Sequence, residues 1–196
     1  MKTVTIRTAS IWVSAISSRI SGNILSVLLA GAALWLVPCL ARGEVYQTPD
    51  AFLGEAFEQS IPKPKIVWLK GAVKQQVRAI LGHDYSLRVR YWTRAGRSAW
   101  ILDEVGKDLP ITTGIVIGAQ GIERLRILEF RESRGWEVRY PFFTEQFEHA
   151  ELTTELGLNT AIDGISGATL SVGAVQRLAR MALYLHRETA ATHVQP

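Results

Sequence analysis

The sequence predicts an α+β domain, because apolar residues recur at helical spacing at both ends of the body and at a period of two in between. Between residues 87 and 130, four strand-like runs are separated by short glycine-containing turns, a pattern of successive hairpins and not of helical crossovers. No internal repeat or low-complexity linker interrupts this body. Its length of about 150 residues suits one domain with a core of its own.

The N-terminal part reads differently. Residues 24–41 form an apolar run without a charge, preceded by Lys2, Arg7 and Arg19. Basic residues ahead of an apolar stretch direct export or membrane insertion with the N-terminus inside. Residues 1–43 are therefore expected to be a signal peptide or an N-terminal membrane anchor. Ala41 and Gly43 provide small residues at the −3 and −1 positions of a cleavage after Gly43, while the run is also near the minimum length for a span. Both readings place the body in the periplasm or on the outer face of the cytoplasmic membrane.

After Pro49 and Asp50, the spacing of Ala51, Phe52, Leu53, Ala56 and Phe57 predicts a short helix that Pro62 and Pro64 exclude from continuing. Ile66–Leu69 is extended. Val73, Val77, Ile80 and Leu81 then share one helical face, and Gly82 supplies the stop. Residues 44–86 thus read as a helical extension packed on the domain. From Ser86, Leu87, Val89 and Tyr91 alternate with Arg88, Arg90 and Trp92, and Arg94–Arg97 turns the chain into Ser98–Leu102. Thr112–Ile117 and Ile122–Phe130 form the second pair around Gly118–Gly121, giving an antiparallel meander of at least four strands. The last helix carries Val172, Val175, Leu178, Ala179, Ala182 and Leu185 on one face, with Arg177, Arg180 and Arg187 towards solvent. Residues 87–188 complete the domain, and 189–196 read as a loose tail.

Composition and motifs remove several functions. The 22 Lys and Arg exceed the 18 Asp and Glu only because four basic and no acidic residues lie in the first 43 positions, so the body is neutral and carries no footprint for nucleic acid. The single cysteine, Cys39, lies in the apolar run, which excludes disulfides, CxxC motifs and cysteine-ligated metals from the body. The four histidines fall outside metal-ligand spacings. Gly164-Ile165-Ser166-Gly167-Ala168 lacks the last glycine of a nucleophile elbow, and there is neither a P-loop nor a GxGxxG fingerprint. Trp68, Trp92 and Trp100 sit in strand-like runs and are expected in the core, whereas Trp136 lies in a polar loop and needs something to cover.

Chemistry concentrates in Asp163-Gly164-Ile165-Ser166-Gly167-Ala168-Thr169-Leu170-Ser171, which runs into the last helix. Two glycines free the backbone, Ser166 and Thr169 offer hydroxyls, and Ser171 is a good N-cap. The N–H groups and positive dipole end of the following helix favour a phosphate. A bland capped turn uses the same residues. The word Asp163-x-x-Ser166-Gly167-Ala168-Thr169 resembles the recognition motif of covalently flavinylated FMN-binding domains, as in the FMN-carrying subunits of the sodium-pumping NADH:quinone reductase and of Rnf complexes. Glu132-Ser133-x-Gly135, followed by Phe142, Phe143 and Phe147 in a helix, is similar to that family's Glu-Thr-Pro-Gly segment. Arg134 and Trp136 depart from it.

The resemblance covers roughly residues 87–187, and it implies an FMN joined through its phosphate to the Thr169 hydroxyl by an ApbE-type flavin transferase. Asp163, Ser166, Gly167 and Ala168 would shape and present that threonine. Ser171 would cap the helix near the phosphate, and Glu132, Gly135 and Trp136 would flank the ring. With no general base or nucleophile for turnover in view, the chain reads as an electron carrier supplied by a membrane-bound or cytochrome partner. Two other readings remain open at this stage: a periplasmic adaptor without flavin, and a small reductase with non-covalent FMN.

Overall fold

The computed structural model describes residues 43–194, with side chains as far as Ala191; the expected signal peptide or anchor lies outside the described residues apart from Gly43. The architecture is α+β, a six-stranded antiparallel sheet with helices on both faces. In chain order the elements are β1 (Glu44–Val45), α1 (Pro49–Ala56), β2 (Lys65–Trp68), α2 (Gly71–Leu81), β3 (Arg88–Arg94), β4 (Arg97–Val105), β5 (Pro110–Gly118) and β6 (Gly121–Phe130). A short 3₁₀ turn (Trp136–Arg139), α3 (Pro141–Thr144), a second 3₁₀ turn (Glu145–Phe147) and the long α4 (Thr169–Val194) follow.

The central meander follows the sequence. Strands β3 and β4 close at Arg94 opposite Arg97 through Ala95 and Gly96, both at positive φ, as a two-residue hairpin of this hand requires. Strands β5 and β6 close at Gly118 opposite Gly121. Both outer strands come from the 44–86 extension: β2, which falls on the stretch expected to be extended, pairs with β3, and the unexpected β1 pairs with β6, so the sheet order is β1-β6-β5-β4-β3-β2. A two-residue strand such as β1 has no readable alternation. The alternation along β6 is also broken by one extra residue on that strand at each of two places, opposite Thr112/Thr113 and Val116/Ile117.

One face of the sheet carries the main core. Val89, Trp100, Leu102, Ile111, Ile115, Ile117, Leu125 and Ile127 meet Val175, Leu178, Ala179 and Ala182 of α4, with Val77, Ile80 and Leu81 of α2 beside them. Helix α2 ends as its sequence requires: Gly82 lies at φ 85° and donates to Arg78 O at 2.8 Å. The opposite face holds a smaller core of Phe52, Leu53, Ala56 and Phe57 against Ala99, Val116 and Leu128. There Gly114 lets α1 approach, since a Cβ at that position would stand 2.7 Å from the Phe52 ring. Helix α1 starts at Thr48, whose Oγ1 accepts from Ala51 N–H at 3.2 Å.

Four expectations change. Trp100 is fully buried, but Trp68 on the edge strand is 51% exposed with Lys70 and Arg88 over its ring. The helix expected around Phe142–Phe147 is one short turn between 3₁₀ segments; Phe143 and Phe147 are buried edge to face, while Phe142 is exposed. Arg177 and Arg180 are bonded inward, to Glu104 and to Leu156 O. The tail from Thr189 is helical through Val194, because the buried Thr189 hydroxyl donates to Leu185 O and His186 O and Ala190 and Ala191 favour the helix.

Thr113 is fully buried on the α4-facing side of β5, and its Oγ1 has no hydrogen-bond partner among the described residues. A buried unpaired hydroxyl costs about 1–3 kcal/mol, so Thr113→Val, which keeps the shape, should raise the unfolding free energy by about 1 kcal/mol or more in a urea titration. A loss of stability would mean that the hydroxyl is satisfied.

Two histidines are set against each other in pH. Trp100 Nε1 donates to Ser98 Oγ at 2.8 Å, and Ser98 Oγ is hydrogen-bonded to His186 Nδ1 at 2.7 Å. Desolvation holds His186 below its ordinary value of 6.5. Between the two values the unfolded chain binds the proton and the folded chain does not, so stability falls as pH drops below about 6.5. His83 behaves oppositely. Its Nδ1 lies 2.9 Å from Asp84 O and its Nε2 3.0 Å from Glu104, and these bonds raise it, so its contribution is complete below 6.5 and lost as pH rises through the raised value. Thermal midpoints between pH 8 and 5 should therefore fall less on acidification in His186→Gln than in the parent, and more in His83→Gln. Parallel curves for all three proteins would refute the assignment.

Candidate functional site

The site begins with a turn. Ala168 N–H donates to Ile165 O at 3.0 Å, closing Ile165–Ala168 with Gly167 at φ 80°, a conformation that favours glycine. Val172 N–H then donates to Ala168 O at 2.9 Å, making Ala168 the first acceptor of α4 and Thr169 its first helical residue. Helix geometry leaves the N–H groups of Thr169, Leu170 and Ser171 ahead of the first i→i−4 bond and without intrahelical acceptors. Ser166, Gly167 and Thr169 are exposed, Ala168 is buried, and a Cβ on Gly167 would meet nothing within 4 Å. The expected cap is corrected: Ser171 is the third helical residue, not the N-cap, because the Ile165–Ala168 turn starts the helix two residues earlier.

Ser171 is instead a packing residue. It is buried, and its Oγ would stand 2.6 Å from a Cβ on Gly135, which lies at φ 86°; Ala168 Cβ would stand at 3.3 Å. Gly135 thus seats the Glu132–Gly135 loop directly on the first turn of α4. Between them lies a cleft of about 600 Å³ lined by Lys107, Glu132, Ser133 and Arg134 on one side and Gly167–Ser171 on the other. That size falls within the range of about 300–1,000 Å³ seen for small-molecule and cofactor sites.

The cleft is built by Glu132. Its Oε1 accepts the backbone N–H groups of Lys107, Asp108 and Leu109 at 2.6, 2.7 and 2.9 Å, clamping the β4–β5 turn to the strand that follows. Desolvation pushes the Glu132 carboxyl up, but the three backbone donors and the Lys107 charge outweigh it and hold the group below its ordinary value. Glu132 therefore spends its charge on backbone donors and is a support of the cleft wall. Lys107, whose Nζ lies 3.4 Å from Asp108, and Arg134 give that wall positive charge. Neither was identified from the sequence as a site residue: a lone lysine in a turn carries no motif, and Arg134 stood out only as a departure.

Asp163 is exposed, and its N–H donates to Gln146 Oε1 at 2.6 Å; Gln146 Nε2 donates to Phe142 O at 3.1 Å. The segment before the turn is so fastened to the second 3₁₀ turn and, through Phe142 O, to α3. From the far side, Arg177 on α4 donates through Nε and Nη2 to the buried Glu104 at 3.0 and 2.9 Å, tying the helix to the end of β4. Trp136 does not line the cleft with Thr169. It is 40% exposed, edge-on to Tyr140 at 5.6 Å, under the Arg139 guanidinium at 5.0 Å, and faces a neighbouring depression with Tyr46.

The FMN-binding domain family matches residues 106–184, from the clamped turn through most of α4. Residues 106–184 are an FMN-binding domain. No curated protein and no solved structure matches the chain significantly. The match begins at Gly106 and takes in β5, β6, the cleft and the Ile165–Ala168 turn, while β3 and β4 of the same sheet precede it. Its residues suit the cofactor's phosphate end. The open helix N–H groups, a positively charged wall and an exposed hydroxyl meet in one cleft, and among the described residues no acidic side chain other than the backbone-bonded Glu132 lines it.

Proposed function

We propose that the protein is an extracytoplasmic electron-transfer module carrying FMN through a phosphodiester to Thr169. The carrying observation is the Thr169 hydroxyl, exposed at the start of α4 and inside the cleft of the FMN-binding domain. The flavin supplies one- and two-electron redox chemistry, and the protein supplies orientation, electrostatics and exposure. Lys107, Arg134 and the N–H groups of Thr169–Ser171 would offset the phosphodiester charge. Gly167, with open space on its Cβ side, leaves an ApbE-type flavin transferase room to reach the hydroxyl. Asp163, Ser166 and Ala168 shape the turn, and Gly135 places the opposite wall.

Export by the N-terminal segment would put the module in the periplasm or on the outer face of the cytoplasmic membrane, where a covalent tether prevents loss of a cofactor made in the cytoplasm. Its electrons would come from a membrane-bound or cytochrome partner. The test is an intact mass of the denatured protein from cells with and without the transferase. A gain equal to FMN less one water, only with the transferase, is expected. Colour that leaves on denaturation would point to a non-covalent reductase, and an unmodified, colourless protein to an adaptor domain; either overturns the proposal.

A further inference from the structure

A second concavity, of about 730 Å³, opens between α1 and the Tyr140 loop on the face of the sheet opposite the main core. Its floor holds Arg126, placed on that face beside Gly114 by the β5–β6 register. Arg126 is half-buried, and its Nη1 donates to Leu125 O at 3.0 Å and reaches Thr144 Oγ1 at 3.5 Å. No carboxylate of the described residues pairs with it. The charges around it are otherwise answered. Glu55 receives Gln47 Nε2 at 2.8 Å on one oxygen and Arg124 at 3.1 Å on the other, and Arg139 meets Glu44 at 3.3 Å. A guanidinium held partly out of water without a counter-charge leaves most of its donor fork unused, and a planar carboxylate is the group that fits such a fork.

The walls add a second requirement. Tyr46 and Tyr140 line the groove on either side of Arg139, whose guanidinium lies 4.4 and 5.1 Å from their rings. Aromatic walls with one unpaired cation at the floor select a flat ring bearing an acid. We propose that this groove binds a small aromatic carboxylate, with Arg126 as its anchor. The groove also has a place relative to the cleft. A shallow depression of about 240 Å³ shares Glu132 and Ser133 with the cleft and Tyr46 with the groove.

The proposal does not depend on flavin attachment, and its test uses the full chain with Thr169→Ala, which bears no phosphodiester. Backbone NMR shifts are followed on addition of benzoate, and of benzyl alcohol as the same ring without the acid. Benzoate should produce saturable shifts around Tyr46, Arg126 and Tyr140 with a Kd of about 0.1–5 mM, and benzyl alcohol none. Arg126→Gln should weaken benzoate about tenfold or more, and Arg126→Lys, which keeps the charge without the fork, by less. The proposal is overturned by no saturable shift up to about 20 mM, by equal binding of benzyl alcohol, or by shifts confined to Thr169–Ser171. Undiminished binding by Arg126→Gln also overturns it; should that variant fail to fold, Arg126→Lys and benzyl alcohol decide.

Discussion

Thr169→Ala should abolish flavin retained through denaturation while leaving the fold in place, and Thr169→Ser should keep the flavin. The residue touches the interior little: it is exposed at the first position of α4, and the helix-starting bond runs from Val172 N–H to Ala168 O without its side chain. Alanine is at least as good a helix former there, so the change in stability should stay within about 0.5 kcal/mol. The effect on attachment is all or none, because only the hydroxyl can form the ester. Intact mass after transferase treatment reads the first outcome and a thermal scan the second. An adduct persisting on Thr169→Ala would move the attachment elsewhere, with Ser166 as the nearest exposed hydroxyl of the same turn.

Gly135→Ala should destabilise the protein by about 2–5 kcal/mol and disable flavin attachment at a residue it does not touch. Two causes add. A φ of 86° is left-handed backbone that costs a residue with a Cβ about 1–2 kcal/mol, and the new methyl would stand 2.6 Å from Ser171 Oγ. Overpacking of that kind adds about 1–3 kcal/mol. The loop would have to lift from the first turn of α4, opening the cleft between Arg134 and Thr169. Ser171→Ala removes the oxygen from the clash but not the φ cost, so Gly135→Ala/Ser171→Ala should recover part of the stability, with a coupling measurable by a double-mutant cycle in denaturant. Strict additivity would show that the two residues do not meet, and unimpaired flavinylation of Gly135→Ala would show that the loop does not shape the site.

Different physical signals explain what could be read in advance. Periodicity located the inner strands and all the long helices, because burying one face of a strand or helix constrains every second or every third to fourth residue. It missed β1, whose two residues are too few for a period, and it ended α4 early, because Thr189 looks polar until its hydroxyl is seen bonded to the preceding turn. The Ser166–Thr169 turn was legible as a word. Its geometry was not, since the helix start moved from Ser171 to Thr169 on a backbone bond that no side-chain pattern announces.

The wall of the cleft lay beyond sequence reasoning for a further reason. Lys107 and Glu132 are 25 residues apart and meet through a backbone N–H, and Arg126 is notable only because no carboxylate of the described residues pairs with it. Local order by itself determined the α+β class, the hairpins, the neutral body and the Ser-Gly-Ala-Thr word, because these rest on short-range periodicity, turn chemistry and composition. Only the tertiary structure decided which loop faces that word, which charges are answered and which are left open, because those depend on distances across the fold between residues remote along the chain.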